Sequence, residues 1–224
     1  MNKPSILTAF VAALCAFTLT SANGSTTGQS ISVNFGAGDG QTTNPTALAP
    51  SDLAGVAQSV NWNNAFGANG TLSDLTVDIM GTAQTVGATV TWNSSNTWST
   101  DAENNTSQFT GADEILMSGY LDFAVGGAGA ITFAGLQNGL YDVYVYSLTA
   151  VDGRDSGNIV VDGIQKKSIT TASSTFIEGG GPGGPDNVGG VPGNYNFYPN
   201  VNVTGGALEI SMPAQTFRTA VNGV

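Results

Sequence analysis

The chain has no histidine and a single cysteine among its 224 residues. The missing histidine excludes Ser-His and Cys-His nucleophile pairs, and it excludes a catalytic zinc held by histidine. The cysteine, Cys15, lies in the N-terminal apolar run, so a mature domain that begins after this run forms no disulfide. The groups that remain for catalysis are carboxylates, hydroxyls and amines.

Charge is also scarce, and positive charge most of all. Only 9% of the residues are charged, with 5 Lys and Arg against 16 Asp and Glu, and the formal net charge is −11. Phosphate groups repel such a chain, so we expect neither nucleic acid nor anionic membranes as partners. Gly, Asn, Ser and Thr are abundant instead. This composition predicts a neutral surface rich in hydrogen-bonding groups, which suits sugars or self-association.

The longest apolar run lies at the N-terminus. Lys3 precedes an apolar stretch at residues 6–19, and the small residues Thr20-Ser21-Ala22 follow it. This is the pattern of an export signal, and the stretch is short for a membrane span. We therefore predict a signal peptide at residues 1–22, followed by an exported, extracellular or cell-surface domain at residues 23–224.

Beyond the leader, apolar residues recur with the period of two that is typical of strands. The clearest case is Ala88, Val90 and Trp92, which alternate with threonines and Asn93. The pattern indicates roughly ten to twelve short strands, separated by turns rich in Gly and Asn. We find neither an internal repeat nor a linker. The prediction is one all-β domain, a two-sheet antiparallel β-sandwich of the jelly-roll kind with little helix.

Residues 139–163 are predicted to hold the central strand pair. Residues 141–148 are apolar on both faces of a strand, so both faces must be covered and the strand belongs in the middle of a sheet. Residues 159–161 are the predicted antiparallel partner, reached across a polar loop at residues 149–157.

The end of the sequence predicts an unfinished hairpin. Asn222-Gly223 is a strong signal for a two-residue turn, yet only Val224 follows it. Because such a turn needs a returning strand, we expect a fragment that lacks its last strand, or a gene that continues beyond it.

Trp98 is the leading candidate for a ligand contact. Trp62 and Trp92 are in phase with the apolar positions of their strands and are expected in the core. Trp98 lies outside that alternation, in a polar stretch at residues 93–110 that is predicted to be a long loop. A pyranose can stack on such a ring while neighbouring amides bind its hydroxyls. The alternative is that Trp98 closes one end of the sandwich. The same two interpretations, ligand contact or core residue, apply to Tyr195. The predicted contact residues are Trp98, Asn93, Asn96 and Tyr195.

The acidic residues suggest two further hypotheses. Asp152 and Asp155 flank the predicted central hairpin and, with loop carbonyls, could bind calcium. An ion pair with Arg154 explains the same residues equally well. A glycoside hydrolase would need two carboxylates at a set separation, and the pattern pairs no two glutamates on neighbouring strands. The glutamates are Glu103, Glu114, Glu178 and Glu209. Lys166-Lys167-Ser168 is predicted to be an exposed polar hairpin rather than a Ser-Lys nucleophile, so an enzyme is not expected.

Several stretches together resemble a known kind of domain. They are Ile31-Ser-Val-Asn-Phe-Gly, Asp52-Leu-Ala-Gly-Val-Ala-Gln-Ser-Val-Asn-Trp-Asn-Asn-Ala, Ala88-Thr-Val-Thr-Trp-Asn-Ser-Ser-Asn-Thr-Trp-Ser-Thr, Leu116-Met-Ser-Gly-Tyr-Leu-Asp, Tyr141-Asp-Val-Tyr-Val-Tyr and Ala220-Val-Asn-Gly-Val. In this order they are similar to an exported domain of environmental bacteria, often found in proteins that end in a PEP-CTERM-type sorting segment. The resemblance implies a galactose-binding or carbohydrate-binding jelly roll at the cell surface. It implies no particular functional residues.

Two functions follow as predictions. The first is an exported, non-catalytic module that binds a polysaccharide or another glycan. The second is a structural subunit of an extracellular fibre, matrix or surface layer, which would self-associate through an unpaired edge strand.

Overall fold

The computed structural model describes residues 28–36, 47–102, 106–182, 190–214 and 217–224. The predicted signal peptide at residues 1–22 lies outside these residues. The described part of the chain forms eighteen strands and one helix. In chain order they are β1 (Gln29–Ser30), β2 (Val33–Phe35), β3 (Asn63–Ala65), β4 (Asn69–Leu72), β5 (Thr76–Ile79), β6 (Thr82–Thr85), β7 (Thr89–Asn93), β8 (Asn96–Ser99), α1 (Ala112–Ser118), β9 (Gly119–Phe123), β10 (Gly129–Ala134), β11 (Gly139–Tyr146), β12 (Asp155–Val161), β13 (Ile164–Thr170), β14 (Gly181–Pro182), β15 (Val191–Gly193), β16 (Tyr195–Val203), β17 (Ala207–Met212) and β18 (Thr219–Val221).

The protein is an all-β sandwich with little helix, as the sequence predicts. One layer is an eight-stranded sheet in the order β14-β13-β12-β17-β10-β7-β4, with β15 paired to β13. The other layer combines the pairs β2-β3 and β11-β16 with the sheet β18-β9-β8. A small sheet, β1-β5-β6, completes the fold. The pairing is antiparallel except between β2 and β3 and between β13 and β15.

The core between the two layers follows the alternation seen in the sequence. In β7, Val90 and Trp92 are buried while Thr91 and Asn93 are exposed. The Trp92 Nε1–H donates to the Gly67 carbonyl at 2.9 Å, and the ring meets Phe35 edge-on at 5.8 Å between centroids. The predicted core position of Trp92 is therefore confirmed.

A second apolar cluster covers the outer face of β11. Tyr146 is 2% exposed, and its ring contacts Trp62 at 6.2 Å and Phe176 at 5.5 Å between centroids. Trp62 is also buried, as predicted. On the inner face of the same strand, Val143 and Val145 lie in the main core. β11 is thus covered on both faces, which explains its apolar sequence.

The helix α1 closes the second cluster from one side. It begins after Gly111, whose φ of 66° is readily adopted only by glycine, and it buries Leu116 and Met117. The acidic residues in its first turn interact favourably with the positive end of the helix dipole. One of them, Asp113, also accepts a hydrogen bond from the Gly55 N–H at 2.8 Å. Among the described residues, no helix has the length and hydrophobicity that a membrane crossing requires.

The predicted partner of the central strand is wrong. β11 pairs with β16, with Tyr144 opposite Phe197, and not with residues 159–161. Those residues belong to β12, which pairs with β13 and β17. The cause is the turn at Asp162 and Gly163, whose φ values of 50° and 72° suit a tight two-residue hairpin between β12 and β13.

The predicted hairpin at Asn222-Gly223 is also wrong. Residues 222–224 run extended between β2 and β11. The N–H of Phe35 donates to the Asn222 carbonyl and the N–H of Tyr146 to the Gly223 carbonyl, each at 2.9 Å. A Cβ on Gly223 would lie 2.8 Å from the Val33 carbonyl oxygen, so glycine is required here by a close approach rather than by a turn. That a further strand follows Val224 stays a prediction.

Candidate functional site

Four polar or aromatic side chains share the outer face of the strand pair β8-β9. In the antiparallel register Trp98 lies opposite Tyr120, and Asn96 lies opposite Asp122. Directly opposed residues point to the same face, and the alternate residue of β9, Leu121, points into the core. We call the set Asn96, Trp98, Tyr120 and Asp122 the Trp98 face. Asn96 and Trp98 are partly exposed while Tyr120 and Asp122 are buried, so solvent reaches this face along β8.

Trp98 lies in a strand and not in the loop that the sequence predicts. Its ring is partly exposed, as is the side chain of Asn96, whereas Thr97 between them is buried. The turn before β8 is held by Ser94, whose single O–H lies between two carbonyl acceptors, with Oγ 2.9 Å from that of Ala68 and 2.8 Å from that of Asn96. These bonds fix the start of β8, and with it the positions of Asn96 and Trp98.

Asp122 is a buried carboxylate with one satisfied oxygen. Its side chain is 1% exposed, and Oδ2 forms an ion pair with Nη1 of Arg218, whose side chain is 45% exposed. Oδ1 has no hydrogen-bond partner in the described structure. Burial raises the pKa of Asp122, and the charges of Arg218 and Arg154 counteract part of this rise. The face therefore holds a desolvated carboxylate beside the exposed guanidinium of Arg218.

Tyr120 forms the buried part of the Trp98 face. It is 4% exposed, and its hydroxyl accepts the N–H of Ala150 at 3.3 Å. Burial raises the pKa of Tyr120 far above its usual range, so the hydroxyl stays protonated at neutral pH. Its role is to support the β8-β9 face from below.

Asn93 lies on the other side of the sandwich. It is the last residue of β7, opposite Asn69 and Ala130, and is exposed on the outer face of the eight-stranded sheet. Asn93 and Asn96 are close in sequence, but the chain crosses between the layers at residues 94–95. The structure thus groups Asn96 with Trp98 and separates Asn93 from both.

Tyr195 belongs to a third region. It is partly buried on the outer face of β16, where its ring lies 6.3 Å from Tyr144 and 6.4 Å from Phe176 between centroids. Tyr144 in turn stacks on Phe197 at 4.6 Å. Burial raises the pKa of Tyr195, and the nearby charge of Glu178 raises it further. These rings pack against one another at the rim of the second cluster, apart from Trp98.

The two aspartates of the calcium hypothesis lie at the start of β12. Asp152 is exposed, and its Oδ1 accepts the N–H of Ala172 at 2.8 Å. Asp155 opens β12 opposite Ile169. Over the described residues, no three side chains of the His, Cys, Asp and Glu types gather as metal ligands would. The calcium site stays a prediction.

The Lys166-Lys167-Ser168 segment is not the exposed hairpin that the sequence predicts. Lys167 is 1% exposed and Ser168 is fully buried in β13. The Ser168 Oγ donates to Asn196 Oδ1 at 2.6 Å, and the Lys166 Nζ donates to the Phe197 carbonyl. The bonds of Lys166 and Ser168 join β13 to β16 in the other layer.

The described glutamates are spread over the fold. Glu114 lies in α1, and Glu178 forms an isolated bridge with Tyr195. Glu209 is exposed on β17 and, with Asp162, lines a shallow depression of 290 Å³. Glu103 lies outside the described residues.

Three residues of the Trp98 face and its surroundings escaped the sequence prediction: Tyr120, Asp122 and Arg218. The signal for two of them was the alternation Tyr120-Leu121-Asp122, which places both on the outer face of one strand. Comparison with known proteins found no family model, curated sequence or solved structure that matches this chain. The resemblance to the exported PEP-CTERM-associated domain therefore stays a prediction, and the case for function depends on the geometry above.

Proposed function

We propose that this chain is a non-catalytic β-sandwich module that binds a glycan at the Trp98 face. The observation that carries the proposal is the antiparallel pairing of β8 with β9. This pairing places the partly exposed indole of Trp98 and the amide of Asn96 beside the ion pair of Asp122 and Arg218. Glycan recognition uses these groups in combination, because the apolar face of a sugar stacks on an aromatic ring while amide, carboxylate and guanidinium groups bind its hydroxyls.

Each residue has a distinct role in the proposed contact. Trp98 supplies the stacking surface. Asn96 offers both a hydrogen-bond donor and an acceptor, and Arg218 offers N–H donors at the surface. Asp122 is a positioning residue, because its buried carboxylate holds the guanidinium of Arg218 in place. The export pattern of residues 1–22 supports a location at the cell surface, where polysaccharides are available.

A pair of asparagine variants tests the proposal. Asn96→Ala is expected to reduce retention on a bound glycan about tenfold, since it removes a side chain that contacts the ligand. Asn93→Ala is the matched control, because the same change on the opposite layer leaves retention unchanged. The measurement is affinity electrophoresis and calorimetry over a broad panel of soluble and insoluble glycans.

Trp98 variants provide the second arm of this test. Trp98→Ala is expected to abolish retention, and Trp98→Phe to keep most of it, because a phenyl ring still stacks. The alanine variant keeps its β-rich circular-dichroism spectrum and loses about 1–3 kcal/mol of stability, because the indole is partly buried. Retention that is equal in all the variants, or absent from every glycan tested, would contradict the proposal.

A second function, a self-associating structural subunit, is favoured by the edge strand β6. All four residues of Thr82–Thr85 are exposed, they carry no charge, and among the described strands β6 pairs only with β5. Uncharged edges can accept a strand from a second copy. The segment at residues 222–224 is not such an edge, since β2 and β11 pair with it on both sides.

The self-association proposal predicts that the molar mass from light scattering increases with concentration. Gln84→Lys should keep the protein monomeric, because a charge on an edge strand opposes strand addition. Asn202→Lys, on an exposed position of β16, is the control and should associate like the unmodified chain. A strictly monomeric unmodified chain at high concentration would exclude this second function.

A further inference from the structure

The few cations of this chain are unevenly placed. Of the 5 Lys and Arg, the structure describes Arg154, Lys166, Lys167 and Arg218. The two lysines lie side by side in β13. The two arginines both act on Asp122, Arg218 through an ion pair and Arg154 through its charge. With 16 acidic residues available, every cation could pair with a carboxylate of its own. The loop that carries Arg154 lies against the Trp98 face, since the Ala150 N–H donates to the Tyr120 hydroxyl at 3.3 Å and the Arg154 N–H to the Val151 carbonyl at 3.2 Å.

Arg218 is suited to bind a further anion. Its guanidinium carries five N–H donors, and one of its nitrogens, Nη1, contacts Asp122 Oδ2. The side chain is 45% exposed, so the remaining donors are accessible from solvent. The planar fork of arginine matches the paired oxygens of a carboxylate or a sulfate, which a lysine ammonium does not. Asp122 thus orients Arg218 without occupying all of its donors.

We infer that the glycan bound at the Trp98 face is acidic, with the ring of a sugar on Trp98 and the anionic group of that sugar or its neighbour at Arg218 and Arg154. The inference rests on the proposed function and specifies its ligand class. The shared chemistry is an anionic oxygen group on a pyranose. A uronic-acid carboxylate and a sulfate ester are its two sources.

The overall negative charge of the protein does not oppose this inference. At physiological ionic strength, charges are screened beyond about 8 Å, so a ligand at the surface responds mainly to the groups beside it. Among the described groups, the positive charges of Arg218 and Arg154 act on Asp122. An anionic ligand at the Trp98 face would therefore meet these two cations at short range, although the net charge of the chain is −11.

Matched polysaccharides test the ligand class. Polygalacturonate is compared by calorimetry with its fully methyl-esterified form, and a sulfated galactan with the same galactan after desulfation. The acidic member of at least one pair is expected to bind about tenfold more tightly, and raising the salt concentration should remove the difference. The pair that shows the preference identifies the carboxylate or the sulfate as the source.

Charge variants locate the effect. Arg154→Gln is expected to remove most of the preference for the acidic form while leaving binding of the neutral form unchanged. Lys166→Gln removes the same charge outside the Trp98 face and should keep the preference. Arg218→Lys retains an ion pair with Asp122 but loses the planar fork, so it should weaken acidic binding without the unfolding that an unpaired buried Asp122 would cause.

The outcomes separate the two proposals. If neutral and acidic forms bind equally and Trp98→Ala still abolishes retention, the acidic ligand class is wrong and the glycan-binding function stands. If Arg154→Gln and Lys166→Gln lower acidic binding equally, the preference reflects overall charge and the placement at the Trp98 face is wrong. If no polysaccharide binds, both proposals fail.

Discussion

Replacing Asn222 with alanine is expected to lower the free energy of unfolding by about 3–4 kcal/mol. The side chain is fully buried between two layers of structure. Its Oδ1 accepts the N–H of Leu148 at 2.7 Å, and its Nδ2 donates to the carbonyls of Gly119 at 3.0 Å and Met117 at 3.3 Å. Alanine would leave the Leu148 N–H and the Gly119 carbonyl without the partner that Asn222 provides, and each such buried group costs about 1–3 kcal/mol. The Met117 carbonyl would keep its bond from the Thr100 hydroxyl at 3.0 Å.

Urea unfolding followed by circular dichroism measures this effect. Asn202→Ala is the matched control, since Asn202 is exposed on β16, and its change should stay within about 0.5 kcal/mol. Asn222→Asp should be at least as harmful as alanine, because a carboxylate would face the Gly119 carbonyl where an amide now donates. An Asn222→Ala variant as stable as the unmodified chain would contradict the described position of residues 222–224.

The protein is expected to lose stability steeply above about pH 10, the usual pKa of tyrosine. Tyr120, Tyr146 and Tyr198 are at most 4% exposed, and burial raises the pKa of all three far above the ordinary value of 10.0. Unfolded tyrosines release their protons at this pH while the buried ones keep them. Stability is therefore fully present below pH 10 and falls as the pH rises, by about 1.4 kcal/mol per pH unit for each tyrosine.

Two measurements test the alkaline transition. Urea unfolding at increasing pH gives the slope, and tyrosinate absorbance reports deprotonation. Deprotonation of the three buried tyrosines should coincide with the loss of β structure, whereas Tyr141, Tyr144 and Tyr195 are partly exposed and can ionise before it. Tyr198→Phe removes one of the titrating groups, together with the bond from its hydroxyl to the Ile159 carbonyl at 2.9 Å, and should reduce the slope by about one third. If more than three of the 6 tyrosines ionise while the β signal persists, the three hydroxyls are not buried as described.

The parts of the fold that are local in sequence were predictable. Alternation with a period of two located β7 and placed Trp92 in the core, because a strand that is buried on one face encodes this in its own residues. The pairing of β11 was not predictable in this way, since its partner β16 lies far along the chain. The Asp162-Gly163 turn, which directs β12 to β13 instead, was present in the sequence as a local hairpin signal.

Asn222 and Gly223 show how one dipeptide can serve two purposes. An exposed Asn-Gly pair forms a tight turn because both residues tolerate positive φ. Here the amide of Asn222 is used for buried hydrogen bonds, and Gly223 is used because the Val33 carbonyl and the Leu116 side chain leave no space for a Cβ. The dipeptide alone does not distinguish an exposed turn from a buried extended segment, because the difference lies in contacts with distant residues.

The candidate site was predictable in part. The polar surroundings of Trp98 identified it, and its place two residues after Asn96 in a strand puts both on one face. Asp122 and Arg218 were missed because their proximity depends on the pairing of β9 with β8 and on the ion pair between distant segments. The structure places Asn93 in the eight-stranded sheet, separate from Trp98, because the chain crosses between the layers at residues 94–95, and this crossing has no strong signal in the sequence. A ligand contact at Asn93 stays a prediction.

The segment Thr219–Val224 has a consequence for how the sandwich folds. Through β18 it pairs with β9, and through its last three residues it fills the space between β2 and β11. Until this segment docks, β9 lacks the strand that joins it to β2 and β11, and the apolar faces of this layer stay exposed. Closure of the layer therefore depends on contacts between residues far apart in sequence, which slows folding and lengthens the time during which the chain can aggregate.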